Sequence, residues 1–108
     1  MGHLKKKLYE IAHCRAGDKG NTLILSLICY NERDFPLLQE KVTAKKVKQH
    51  FRKIVKGEVI RYELPHIAAL QFVCQNALSG GVTTSLAMDS HGKSLSFFLL
   101  EMEIELSQ

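Results

Sequence analysis

Between positions 13 and 21 the chain reads HCRAGDKGN, which sets Arg15, Asp18 and Lys19 among two glycines, Gly17 and Gly20, with Asn21 closing the run. Glycines permit positive φ and close backbone approach, so successive N–H groups can converge into an anion-binding nest. A guanidinium aimed at the same point would grip a carboxylate or phosphate through paired hydrogen bonds. Asp18 would orient Arg15 or Lys19, or accept a ligand hydroxyl. The same composition also serves a plain strand-to-strand turn, in which Asp18 caps its own backbone and the cations are solvated. Neither the spacing nor the following helix of the phosphate loop of nucleotide hydrolases is present.

A second cluster, NALSGGVTT at 76–84, places Asn76, Ser79, Thr83 and Thr84 around Gly80 and Gly81. Glycines that close a helix need no further role; beside an amide and hydroxyls they also let a flat ligand lie against backbone. If this segment meets the 15–21 loop, one pocket holds donors from both. The expected ligand-binding set is therefore Arg15, Gly17, Asp18, Lys19, Gly20, Asn21, Asn76, Gly80, Gly81 and Thr83, and the ligand a small anion or carboxylate. Asp18 and His66 are the candidates for proton transfer, with His13 and His91 the other histidines near loops. Cys14 would be a nucleophile if Arg15 depressed its pKa, and is otherwise a small strand residue. Cys29 and Cys74 read as core fillers. The histidines and cysteines lack metal-ligand spacing, so neither a metal nor a cofactor is expected.

The elements that must hold these residues follow from periodicity. KLYEIAHC at 7–14 and TLILSLICY at 22–30 read as strands joined by the 15–21 loop, the second with both faces buried or central in its sheet. A short helical turn at Leu37, Leu38 and Lys41 precedes Thr43, a natural N-cap for AKKVKQHFRKIV. In that helix Ala44, Val47, Phe51, Ile54 and Val55 form an apolar stripe opposite Lys45, Lys48, Arg52 and Lys56, and Gly57 ends it as a C′ residue. EVIRYEL at 58–64 alternates as a strand. Pro65 then opens a buried helix over 66–78. A strand at 82–88, a DSHG hairpin turn at 89–92 and a return strand complete the chain. That last strand alternates Phe98, Leu100, Met102, Ile104 and Leu106 with Leu99, Glu101, Glu103 and Glu105. The pattern implies an α+β, ferredoxin-like sandwich of about five mainly antiparallel strands with two helices on one face.

At 108 residues the chain forms one domain, residues 1–108, with 1–6 expected as a flexible N-terminus. Hydrophobic residues at 45% and charged residues at 24% exclude a disordered or fibrous class. A net charge of +4 favours anionic partners without the density of a dedicated nucleic-acid binder. Its distribution is uneven: Lys5–Lys7 open the chain and Glu101, Glu103 and Glu105 close it, so the two ends are potential complementary surfaces. Three cysteines at irregular spacing fit neither a disulfide framework nor paired zinc ligands. With no signal-peptide core and no membrane-spanning run, a cytoplasmic protein that does not engage membranes is expected.

RAGDKGN at 15–21, GEVIRYELPHIAALQFVCQNALSGGVTTSL at 57–86, DSHGK and the closing LLEMEI together resemble the small ferredoxin-fold domain of the acyclic terpene utilisation (AtuA-like) proteins. The family's usual loop reads RSGDKGD, from which this chain departs at Ala16 and Asn21. The resemblance implies a place in the catabolism of branched or terpenoid acids through acyl-CoA intermediates. It also implies an accessory or ligand-binding role beside a larger catabolic protein, to which the domain is elsewhere fused. The alternatives are a hydratase or isomerase acting alone on acyl thioesters, with Arg15 fixing the substrate, and a basic RNA-binding module. Against the last, Lys45, Lys48, Arg52 and Lys56 read as a solvated helix face without interleaved aromatic platforms. A homo-oligomer is expected, with the final strand at a sheet edge where two copies can pair.

Overall fold

The computed structural model describes residues 4–77 and 93–106. The described elements run in the order β1 (Leu4–Lys7), β2 (Ala12–Lys19), β3 (Thr22–Cys29), α1 (Phe35–Lys41), α2 (Ala44–His50), β4 (Val59–Leu64), β5 (Ala69–Cys74), α3 (Lys93–Leu100) and β6 (Glu103–Leu106). Short 3-10 turns at Leu8–Glu10, Glu32–Asp34 and Pro65–Ile67 link them. Four strands form an antiparallel sheet in the order β2-β3-β5-β4, while β1 and β6 form a separate antiparallel pair. β3 and β4 run parallel with β5 between them, a split β-α-β unit, and the whole is an α+β, ferredoxin-like arrangement.

β3 is the clearest case of sequence making structure. Leu23, Leu25, Leu27 and Cys29 are buried, whereas Thr22, Ile24, Ser26 and Ile28 between them are half-buried on the opposite face. Its neighbour β5 keeps the same phase, with Leu25 opposite Phe72 and Leu27 opposite Leu70. Both rows join Phe35, Leu38, Val47, Leu95 and Leu99 from the described helices, and Phe51 at the end of α2, in a single core. The described helices therefore all cover the same face of the sheet.

Several sequence expectations are corrected. The strand expected at 7–14 is interrupted by the 3-10 turn at Leu8–Glu10, and β2 instead extends through Lys19. The N-terminus expected to be flexible contains β1, whose Lys5 and Lys7 face Glu105 and Glu103 of β6; Lys7 Nζ also lies 2.9 Å from Glu101 Oε1. The charge complementarity of the chain's ends is thus used within the molecule, and β6 pairs with β1. The helix expected at 66–78 is the strand β5, because Leu70, Phe72 and Cys74 reach the core on alternate positions while Ala69, Gln71 and Val73 face outward. The beginning of the expected final strand is α3, and only Glu103–Leu106 is extended. Thr43 caps α2 as its type predicts, its Oγ1 accepting from Lys46 N at 3.1 Å, but the α-helix ends at His50 rather than reaching Gly57. The strand expected at 82–88 and the turn at 89–92 lie outside the described residues.

Gly57 has a different role from the helix cap expected of it. A Cβ built there would stand 2.7 Å from the Gln75 carbonyl oxygen, which accepts a 3.0 Å hydrogen bond from Gly57 N. Close approach of the backbone leading into β4 to the end of β5 therefore requires glycine. Gly57→Ala should destabilise the fold by about 1–3 kcal/mol, the usual cost of forcing a methyl against packed backbone. Chemical denaturation of the wild-type and variant proteins measures it.

Candidate functional site

The expected 15–21 loop is mostly strand. Residues 15–19 continue β2 in register with β3, Arg15 opposite Ser26 and Lys19 opposite Thr22, leaving a two-residue turn at Gly20–Asn21. Only Gly20 of that pair has positive φ, +64°, the pattern of a type II′ hairpin. An extended strand points successive N–H groups to opposite sides, so Arg15–Lys19 do not form a converging nest. Side chains alternate likewise: Arg15, Gly17 and Lys19 belong to the outer face, and Asp18 shares the face of Cys14 and Ala16, which pack against the core. Asp18 is consequently not placed to orient Arg15 or Lys19.

Part of the expected meeting of segments does occur. Ala77 N donates to Asn21 O at 2.9 Å and Lys56 N to Asn76 O at 3.1 Å, so Asn76 stands beside the hairpin turn. Asn76 adopts φ +54°, a left-handed conformation that asparagine tolerates well. The side chains around this corner, those of Asp18, Lys19, Asn21, Gln75 and Asn76, are exposed. Gly80, Gly81 and Thr83, with Ser79, Thr84 and His91, lie outside the described residues.

The two alternative candidates for proton transfer lie far apart. Asp18 pairs with Leu23 at the hairpin end of the sheet, whereas His66 follows Leu64, whose partner Ala69 pairs with Ile28. Five residues of strand separate those two levels, about 17 Å. His66 is exposed in the 3-10 turn, and His13, on the outer face, stacks on Tyr30 with ring centroids 5.4 Å apart.

A concave site occurs instead where α2 ends. His50, Phe51, Arg52, Lys53, Ile54 and Phe98 line a cavity of about 330 Å³. The His50 ring stacks on Phe98 at 4.3 Å between centroids, and Phe51 meets Phe98 edge-on at 5.0 Å. His50 Nε2 lies 2.7 Å from the Phe98 carbonyl oxygen. A carbonyl only accepts, so the proton is on Nε2, and the orientation of the ring is set by α3. An adjoining groove of similar volume is lined by Lys46, Gln49, His50, Arg52, Met102 and Glu103. Together they present an aromatic and aliphatic floor rimmed by Lys46, Arg52 and Lys53, with Glu103 beside them, a combination suited to an apolar chain ending in an anionic group. Arg52 was singled out in the sequence as part of a solvated stripe; His50, Lys53 and Phe98 were not. Phe98 joins the site across 48 residues of sequence, a proximity that no local spacing reveals.

Among the described residues no three His, Cys, Asp or Glu side chains are placed to hold a metal ion, and no helix is long and apolar enough to cross a membrane. The three cysteines are free thiols. Burial pushes Cys14 up to about 12, and Cys29 and Cys74 up to about 11. The Arg15 side chain emerges on the other face of β2, so Cys14 is not activated by it.

A family model for the AtuA ferredoxin-like domain matches residues 6–105, and the chain belongs to that family. No curated protein and no solved structure matches the chain.

Thiols held protonated by the fold predict a pH dependence. Above the ordinary value of 9.0 the unfolded chain releases thiol protons that the folded chain retains, so the stability contributed by the thiols is complete below pH 9.0 and is lost as the pH rises toward about 12. Combining Cys14→Ala, Cys29→Ala and Cys74→Ala should lower the baseline stability and flatten that decline. Denaturant midpoints measured from pH 8 to pH 11 compare the slopes, lysine and tyrosine titration being common to both proteins.

Proposed function

We propose that this chain is a small ligand-binding domain for a branched or terpenoid carboxylate, or for its coenzyme A thioester, whose phosphates carry the negative charge, and that it serves a larger catabolic partner supplying the reactive groups. The observation that carries this reading is the cavity at the end of α2, apolar at Phe51, Ile54 and Phe98 and cationic at Arg52 and Lys53. Membership of the AtuA ferredoxin-like family supports the acyl class, through the catabolic context that the sequence resemblance implies. A binding role is favoured over independent hydratase or isomerase chemistry because neither candidate proton carrier stands with Arg15: Asp18 is on the other face of β2, and His66 follows β4 at the opposite edge of the sheet. The hairpin corner, with Lys19, Asn21 and Asn76, is the rival location, supported by the Ala77–Asn21 hydrogen bond that brings the two segments together.

Titration of the isotopically labelled protein with medium-chain branched carboxylates and their coenzyme A thioesters distinguishes these locations by NMR. Shift changes are expected at His50, Arg52, Lys53 and Phe98, and the Arg52→Ala, Lys53→Ala double variant should bind about tenfold more weakly, the loss expected for removing charge-assisted contacts. Changes confined to Lys19, Asn21 and Asn76 would move the site to the hairpin corner. No change with any acyl ligand would remove the proposal.

A further inference from the structure

The face of the four-stranded sheet turned away from the helices is apolar and carries no covering element among the described residues. Reading the register across β2, β3, β5 and β4 gives three successive rows: His13, Ile28, Ala69 and Leu64; Arg15, Ser26, Gln71 and Tyr62; Gly17, Ile24, Val73 and Ile60. A fourth row begins with Lys19 and Thr22. It continues through Gln75, whose N donates to Glu58 O at 2.9 Å, so Glu58 ends the row on the outer side, one residue before the inward Val59. Ile24, Ile28, Ile60, Leu64 and Val73 are only half-buried, and Tyr62 is 49% exposed. Two largely apolar rows thus flank the mixed row of Arg15, Ser26, Gln71 and Tyr62, and exposed apolar patches rimmed by polar residues mark interaction surfaces.

Gly17 is the second observation. It sits inside β2, where glycine weakens a strand, yet its φ is not positive and a Cβ built on it meets nothing within 4 Å. The described residues of one chain therefore give no reason for glycine. A glycine so placed marks close approach by another backbone or ligand.

We propose that two copies of this chain pack these faces together about a two-fold axis parallel to the strands, midway between β3 and β5. Such an axis lays β2 of one copy over β4 of the other and returns each row to its own level. A small residue then meets a large one, Gly17 against Ile60, while Ser26 meets Gln71, its own 3.4 Å hydrogen-bond partner within the chain. The charges match as well: Lys19 stands over Glu58, and Arg15 over the ring of Tyr62, a cation-π geometry. A two-fold axis across the strands would instead lay β2 over β2, setting the cationic strand that carries His13, Arg15 and Lys19 against its own copy, so electrostatics selects the first arrangement. The aligned packing is that of two sheets in a sandwich.

Sedimentation velocity on the full chain over a range of concentrations tests this, with a dimer expected. Gly17→Ile should weaken association by about tenfold or more through overpacking of the interface, with the monomer's denaturation midpoint held or raised, since the added side chain enters open space. Lys19→Glu and Glu58→Lys should each weaken the dimer, and the double exchange should restore it. A monomer at every concentration, with the face covered by another protein or another part of the chain, overturns the proposal. So does a dimer indifferent to Gly17→Ile, or a double exchange that fails to recover association.

Discussion

One row of side chains holds this molecule in register. Leu23, Leu25 and Leu27 of β3 and Leu70, Phe72 and Cys74 of β5 all face the helices, and all are at most 1% exposed. Because strand side chains alternate, a slip of one residue between β3 and β5 would exchange the buried leucines for Ile24, Ser26 and Ile28 and bring polar groups into the core. The two hairpins, β2-β3 and β4-β5, are joined through this central pair, so its register also sets which residues of the edge strands face outward.

The helices inherit their positions from the same face. Arg61, on the inner side of β4, donates through Nη1 to the carbonyl oxygens of Gln39 and Val42 at 2.9 and 3.0 Å, while its Nη2 pairs with Glu63 at 2.7 Å. Carbonyls at a helix end lack intrahelical partners, and this guanidinium supplies them. α1 is thereby tied to the sheet edge, and α2 follows after the Thr43 cap. With Val47 and Phe51 buried in the core, His50 is held beside α3, which forms the aromatic cluster with Phe98. The cavity is thus a consequence of how the helices end over the sheet.

The two faces of the sheet differ, one closed by the described helices and one carrying half-buried branched side chains where an antiparallel sheet commonly turns polar residues to solvent. The distribution of charge on that face is asymmetric between its two edges, cationic on β2 and acidic at the start of β4, which gives the surface a direction as well as an apolar character.

Much of this was legible before the fold was known. The apolar run of the central strand β3, the alternation of β4, the Thr43 cap and the opposed charges of the chain's ends are local or compositional signals, and each has its counterpart in the structure. The Gly20–Asn21 pair between strand-like runs is also a hairpin signal; it was obscured by Gly17, which invited a longer loop. The runs at 69–74 and 93–100 were not legible, because a short apolar stretch suits a buried strand or a buried helix equally by local preference. The sequence by itself determined an α+β domain with an apolar core and complementary termini, since alternation, capping and charge act between near neighbours or through bulk composition. Only the tertiary structure decided that the first run is a strand and the second a helix, that Arg15 and Asp18 part to opposite faces, and that His50 meets Phe98. Those outcomes depend on which distant surface buries each side chain, and burial is a property of the assembled core.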